Sequence, residues 1–185
     1  RKSRKRPSGS ASSSLGESIK EASVSDVFTI TGLSIEYEDS YFIVEKIDRH
    51  ESGSGKWHEL LGLDGDKKLW VQWSDDGGLF VTATPDRRPM GLKQLDLTSD
   101  DLVRLDEEQS VDDYVTYEGT RYYYKHSNEA YYYKDNSGDG VGYYLWEFMG
   151  EGDDKVLSIH KWEETPFEVY LSEVVSPDSI SLYKR

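Results

Sequence analysis

At residues 57–73 the sequence reads WHELLGLDGDKKLWVQW. Two runs rich in aromatic and aliphatic residues flank Asp64-Gly65-Asp66, and a glycine at this place supplies the positive φ angle that a tight hairpin turn requires. Residues 57–63 and 67–73 are therefore predicted to form two antiparallel strands joined by a short turn.

The chain from Val27 onward has the same character. Runs rich in β-branched and aromatic residues alternate with turn signals roughly every ten residues, which is typical of an antiparallel all-β domain. At most one short helix is expected, at residues 97–105, where a Ser or Thr cap precedes acidic residues.

A sequence repeat relates the two halves of the chain. Residues 57–69 align with residues 145–157, and the alignment pairs Glu59 with Glu147 and Gly62 with Gly150. Two copies of one unit could bury each other's apolar faces. The predicted fold for residues 27–183 is an all-β, internally duplicated antiparallel β-sandwich or barrel. Its two similar halves, of about four strands each, are expected at residues 27–97 and 112–183.

Composition excludes several functional classes. The 185 residues include no cysteine, so disulfides, thiol catalysis and cysteine-ligated metal sites are excluded. No apolar run approaches the roughly 20 residues that a membrane-spanning helix needs. Aromatic residues make up 13% of the chain, which is enough to favour a packed β core.

The charge is divided between a basic start and an acidic body. Five of the 22 basic residues stand at the start of the chain: Arg1, Lys2, Arg4, Lys5 and Arg6. Without them, 17 basic residues face 36 acidic ones, a net charge of −19. Nucleic acid is not an expected partner of such a body.

Residues 1–26 are interpreted as a flexible, Ser-rich tail or juxtamembrane linker. Its basic residues could contact anionic lipids at the cytoplasmic face of a membrane, with an anchor upstream of Arg1. A solvated tail and a patch for another anionic partner are the alternatives. Residues 1 to about 22 are expected to be disordered, because Ser, Gly and charged residues bury too little apolar area to offset chain entropy.

The order of the motifs resembles that of a bacterial family, the domain of unknown function 4178. The likeness covers residues 27–183, with Asp39 where the family usually has Gly and a Tyr-rich insert at residues 122–144. It is carried by Gly32, Tyr37-Glu38-Asp39-Ser40-Tyr41, Trp57-x-Glu59, Leu69-Trp70, Tyr117-Glu118-Gly119-Thr120-Arg121-Tyr122, Trp146-Glu147-Phe148, Leu157 to Trp162, Glu168-Val169 and Ile180 to Tyr183.

The resemblance implies a context but no chemistry. No activity or catalytic residue is established for the family, its genes often neighbour phage-shock, membrane-stress and ion-channel genes, and some members carry an amino-terminal membrane helix. By analogy, the chain is expected to be a non-enzymatic accessory or interaction domain at the cytoplasmic face of a membrane. It would bind a protein, such as a membrane protein, or a small ligand in a membrane-stress or channel-associated system.

A second function is compatible with the repeat. Glu59 and Glu147 occupy matching positions beside Trp57 and Trp146, so a pseudo-two-fold axis could bring both carboxylates to one cleft. The alternative function is therefore a ligand-binding or hydrolytic β-barrel that uses the cleft between the halves, with His160 as a further candidate. The ordinary interpretation of each Glu is a cross-strand pair with a Lys.

Metal and cofactor signals are weak. Asp135, Ser137 and Asp139 have the alternate spacing that opens a calcium loop, but the closing Glu147 comes one residue late, and a plain turn is the alternative. The four histidines lack metal-ligand spacing. No cofactor is expected.

The tyrosine runs offer a second binding surface. Alternate residues of a strand face opposite sides, so one side of each run could fill a core while Tyr123, Tyr132 and Tyr144 form an exposed platform for a ligand or a protein. Cross-strand aromatic pairing is the alternative interpretation.

Overall fold

The computed structural model describes residues 18–85 and 87–185. Within these ranges the chain forms one α-helix, α1 (Ser99–Glu108), several short 3-10 turns and a set of β-strands. The strands are β1 (Val27–Ile30), β2 (Phe42–Ser52), β3 (Gly55–Asp64), β4 (Lys67–Asp75), β5 (Leu79–Pro85), β6 (Tyr114–Tyr117), β7 (Thr120–Tyr133), β8 (Val141–Gly150), β9 (Lys155–Trp162), β10 (Glu168–Val175) and β11 (Ile180–Tyr183).

The strands close into a barrel. They follow the order β11-β1-β2-β3-β4-β5-β10-β9-β8-β7-β6, and every pair is antiparallel. β2 also pairs with β7, which joins β2–β5 and β7–β10 into a closed 8-stranded barrel. β1, β11 and β6 extend the sheet beyond it. The predicted all-β class is confirmed, and the architecture is a barrel rather than a sandwich.

The local geometry follows from the sequence signals. Gly65 has a φ of 58° in the turn between β3 and β4, as the Asp-Gly pattern predicts. β2 and β7 each carry one bulge, between Val44 and Lys46 and between Tyr124 and His126. Bulges bend a strand and increase its twist, so each long strand can pair with a flanking strand at one end and close the barrel at the other.

The two larger apolar cores lie on the outside of the barrel, whereas a smaller cluster of Ala130, Tyr143 and Leu145 lies on the inner face. Directly opposed residues of antiparallel strands share a face, so the register separates an inner from an outer face. On one side, residues that precede β1 and β1 itself cover the outer face of β2–β5, with Phe28, Phe42 and Leu60 almost fully buried. On the other side, α1 covers β7–β10, with Phe148 and Leu157 beneath it.

The predicted helix is confirmed. Thr98 caps α1, accepting a hydrogen bond from the Asp101 backbone N–H at 3.3 Å, while the Asp101 carboxylate accepts one from the Thr98 backbone N–H at 2.8 Å. Leu102 and Leu105 point from α1 into the second core. In the described part of the chain, no helix is long and apolar enough to span a bilayer.

The start of the chain differs in part from expectation. Residues 1–17 of the predicted disordered tail lie outside the described residues. Residues 18–21, however, form a 3-10 turn, and Ile19 is only 1% exposed in the first core. Burial of this aliphatic side chain, with contacts of Lys20 to Asp75 and of the Glu21 carbonyl to Lys184, favours order in a segment whose composition alone suggests a linker.

Candidate functional site

The inner face of the barrel is polar. Two contacts between strands that are not neighbours show that this face points into the lumen: His50 Nδ1 lies 2.8 Å from the Tyr143 hydroxyl, and Arg87 reaches both Glu59 of β3 and Tyr170 of β10. The inner face includes Asp48, His50, Trp57, Glu59, Gln72, Thr82, Thr84, His126, Tyr132, Tyr143, Glu147, Ser158, His160, Tyr170 and Ser172.

An ion pair fills one end of the lumen. Arg87, just after β5, places Nη1 2.8 Å from Glu59 Oε1, and the two side chains are 15% and 7% exposed. The guanidinium also lies 4.6 Å from the centre of the Tyr170 ring. The Gln72 amide donates to the second Glu59 oxygen. Both charges are thus neutralised and hydrogen-bonded, as buried charges must be.

The environment holds Glu59 ionised. Burial alone would raise the pKa of this carboxyl, but the Arg87 charge, together with His50 and the Gln72 hydrogen bond, outweighs burial and holds the pKa far below its usual range. A general acid needs a protonated carboxyl near neutral pH. Glu59 therefore cannot act as a general acid there.

The His160 and Tyr143 rings near the ion pair are held neutral at pH 7. Burial and then the Arg87 charge lower the pKa of His160 to about 3. Burial, reinforced by the Glu59 carboxylate, raises the pKa of the Tyr143 hydroxyl well above its usual value. Tyr143 also stacks on Trp162, with ring centres 4.2 Å apart. This end of the lumen is therefore closed by neutral aromatic side chains around one ion pair.

His160 should make stability depend on pH. The unfolded chain binds a proton at His160 as the pH falls through about 6.5, whereas the folded protein does not until about pH 3. The contribution of the neutral His160 to the free energy of unfolding is therefore complete above about pH 6.5 and is lost as the pH falls below that value. We expect the free energy of unfolding to drop by about 2 kcal/mol from pH 7 to pH 5, and less in His160→Gln. Urea unfolding at both pH values measures this, and an equal drop in the variant would contradict it.

The other end of the lumen is a cavity that opens to solvent. It encloses about 200 Å³. Three hairpins surround its mouth: β2–β3, β4–β5 and β8–β9. The side chains that matter for its chemistry are Trp57, Gln72, Phe80, Thr82, His126, Glu147 and Ser158. The wall thus combines aromatic rings with hydroxyl, amide, imidazole and carboxylate groups.

Glu147 and His126 form the polar centre of this cavity. His126 Nε2 lies 3.8 Å from Glu147 Oε2, too far for a hydrogen bond. The other ring nitrogen, His126 Nδ1, is buried and has no hydrogen-bond partner in the structure. Both side chains are about one third exposed or less, so they face the cavity and can contact a ligand that enters it.

Four of the five residues of the predicted cleft face the lumen, but they are divided between its two ends. Glu59 and Glu147 both face the lumen, Trp57 lines the cavity, and His160 packs near Arg87 at the filled end. Trp146 does not join them. It lies on the outer face beneath α1, where its indole N–H donates to the Leu102 carbonyl at 2.9 Å. Glu147 and Trp146 are adjacent residues of β8, and adjacent residues of a strand face opposite sides of the sheet.

The three candidate tyrosines lie in three different places. Tyr123 pairs with Tyr114 near the β6 edge, with ring centres 5.6 Å apart. Tyr132 points to the lumen and donates to Asp48 at 2.9 Å, and Tyr144 packs under α1 and donates to Asp106 at 3.0 Å. They do not form one exposed platform, because the curvature of the barrel and the bulge in β7 separate their directions.

The weak calcium candidates lie in the turn between β7 and β8. The Asp135 backbone N–H donates to Asp48 at 2.8 Å, so this turn is tied to β2. Among the described residues, no group of three or more His, Asp or Glu side chains is arranged to hold a metal ion. Asp135, Ser137 and Asp139 are therefore not gathered around a common point with other ligands.

Several site residues were missed by sequence reasoning. Gln72 and Ser158 could have been found, because Gln72 directly opposes Glu59 in the predicted hairpin and Ser158 lies two residues from His160 on the same strand. Arg87 carries no such signal, since it lies in a loop. Only the closed barrel shows that this loop points into the lumen.

Comparison with known proteins assigns the chain to a family. A family model described as "Domain of unknown function (DUF4178)" matches residues 31–177. Neither the curated proteins nor the solved structures gave a match. The matched range runs from before β2 to the turn that follows β10, so it contains the whole barrel. The chain belongs to the DUF4178 family, a domain of unknown function.

Proposed function

We propose that this protein is a non-enzymatic binding domain that holds a small polar ligand in the lumen of its barrel. The observation that carries the proposal is the polar inner face, which leaves a cavity of about 200 Å³ open at one end. Ligand sites in proteins are concave and combine apolar walls with a few convergent polar groups, and the cavity has this composition.

Binding is favoured over hydrolysis by the state of the two carboxylates. A hydrolytic pair needs one carboxyl that gives a proton and one that accepts it. Glu59 is held ionised by Arg87 at 2.8 Å and is surrounded by protein groups. Glu147 alone faces the open cavity, which suits a counter-charge for a ligand better than an acid–base pair.

We also propose that the two halves of the barrel are copies of one unit. The strand order β1-β2-β3-β4-β5 continues as β10-β9-β8-β7-β6, so the second half mirrors the first. Glu59 and Glu147, which the repeat aligns, both face the lumen. Thr84 and Ser172, one repeat apart, meet at the seam with their hydroxyl oxygens 2.6 Å apart. A cavity between two such copies would correspond to the cleft that the repeat predicts.

The same domain is proposed to act as an accessory domain at the cytoplasmic face of a membrane. The five basic residues of the first six positions, set against an acidic body, support this proposal. Flotation with liposomes that contain anionic lipid tests it, and neutralising the five residues should abolish co-flotation. Equal flotation of both proteins would contradict the lipid contact.

The binding proposal is tested by blocking the cavity. A screen for small molecules that raise the melting temperature would be run on the wild type, on Ser158→Phe and on Thr116→Phe. Ser158 lines the cavity, whereas Thr116 is an exposed residue of edge strand β6. Ligands should stabilise the wild type and Thr116→Phe but not Ser158→Phe. Equal stabilisation of all three would place the ligand elsewhere and contradict the proposal.

A further inference from the structure

We infer that the ligand of the barrel cavity is a small organic cation with a primary ammonium group. This inference rests on the proposed binding function and names its ligand class. It follows from three features of the wall: its charge, its hydrogen-bonding atoms and its aromatic rings.

The charge of the wall comes from Glu147. Arg87, the cation of the lumen, is already paired with Glu59 at the filled end. Among the described residues, no Lys or Arg nitrogen lies within 4.0 Å of Glu147, and the His126 imidazole lies 3.8 Å from its carboxylate. Lys56 and Asp76 are both exposed residues at the mouth and offset each other. A cationic ligand would therefore supply the counter-charge that no Lys or Arg gives Glu147.

The hydrogen-bonding atoms of the wall favour a ligand that donates. Gln72 uses its amide nitrogen to donate to Glu59, which leaves the amide oxygen as an acceptor. The hydroxyl oxygens of Thr82 and Ser158 and the carboxylate of Glu147 also accept hydrogen bonds. An ammonium group offers three N–H donors and no acceptor, so it matches this set, whereas a carboxylate or phosphate would face two groups that cannot donate, the Glu147 carboxylate and the Gln72 amide oxygen.

Aromatic rings complete the wall. Trp57 and Phe80 line the cavity, and the faces of such rings attract cations. The Trp57 indole is held in place by stacking on His50, with ring centres 5.2 Å apart. The cavity of about 200 Å³ limits the ligand to a short chain rather than a polymer.

Three probes of equal chain length test the charge preference. Calorimetric titration and intrinsic Trp fluorescence would compare 1,4-diaminobutane, erythritol and succinate, which are a cation, a neutral polyol and an anion with four carbons each. The test variant is Glu147→Gln. The matched control is Glu129→Gln, which removes the same charge from an exposed position of neighbouring β7.

The diamine should bind saturably to the wild type and to Glu129→Gln, and at least about tenfold more weakly to Glu147→Gln. Saturable binding of erythritol or succinate in its place, lost in Ser158→Phe, would overturn the cation inference while supporting a ligand site in the lumen. Diamine binding that neither Glu147→Gln nor Ser158→Phe weakens would place the ligand outside the lumen and overturn both. A lack of response to all three probes would overturn the inference.

Discussion

Glu59→Gln is expected to lower the free energy of unfolding by about 3–5 kcal/mol. The substitution keeps the size of the side chain but removes the charge opposite Arg87, whose side chain is only 15% exposed. A buried guanidinium without its carboxylate has neither water nor a counter-charge. The free-energy cost of this unpaired charge exceeds the Coulomb energy that the ion pair contributes in the native state. Urea unfolding at pH 7, followed by circular dichroism, measures the change.

A double variant separates the charge effect from a general disturbance of packing. Adding Arg87→Met to Glu59→Gln removes the stranded charge, so the double variant should recover more than half of the stability lost in Glu59→Gln alone. The control is Glu129→Gln, whose carboxylate is exposed and should change stability by less than about 0.5 kcal/mol. If the double variant lost as much free energy of unfolding as Glu59→Gln and Arg87→Met lose separately, added together, the result would contradict a coupled pair.

The fold could be predicted from sequence as far as local rules reach. The hairpin at residues 57–73 and the cap of α1 are specified by a few neighbouring residues, so both were predicted correctly. The choice between sandwich and barrel depends on the pairing of β2 with β7, which are far apart in the chain. No local pattern encodes that pairing. It follows instead from where each long strand bends, at bulges that single-sequence periodicity does not reveal.

The candidate site was partly predictable for a similar reason. The repeat aligns Glu59 with Glu147, and strand alternation then requires both to face the same side of their sheets, which becomes the lumen. The different roles of the two carboxylates were not predictable. They arise from Arg87, which reaches the lumen from a loop, and a loop residue has no periodicity that could show its direction.

Because the lumen is polar, the hydrophobic pattern of the strands alone predicts the position of the core incorrectly. In a small barrel the interior is usually filled by side chains. Here most apolar residues of β2–β5 and β7–β10 point outwards, where the segment before β2 and α1 cover them, and only a small cluster around Leu145 lies inside. The stability of the fold therefore resides largely outside the barrel, which leaves the interior available for polar chemistry.

The two tryptophans next to the aligned glutamates, Trp57 and Trp146, should differ in what they support. Trp146→Ala is expected to destabilise the protein by about 3–5 kcal/mol. Trp146 is 6% exposed, contacts Tyr144 with ring centres 4.8 Å apart and ties α1 to β8 through its indole N–H. Its loss opens a cavity under α1 and leaves the Leu102 carbonyl without this partner.

Trp57→Ala should reduce stability less than Trp146→Ala and ligand affinity more. Trp57 is only partly buried, so its removal should cost roughly half as much stability, while it takes away a wall of the cavity. Urea unfolding and diamine titration of both variants measure the two effects, with titration in conditions where each variant is folded. Trp146→Ala should bind the diamine with wild-type affinity and Trp57→Ala more weakly. The reverse order of affinities would contradict the assignment of the ligand to the lumen, because Trp146 lies on the other face of the sheet.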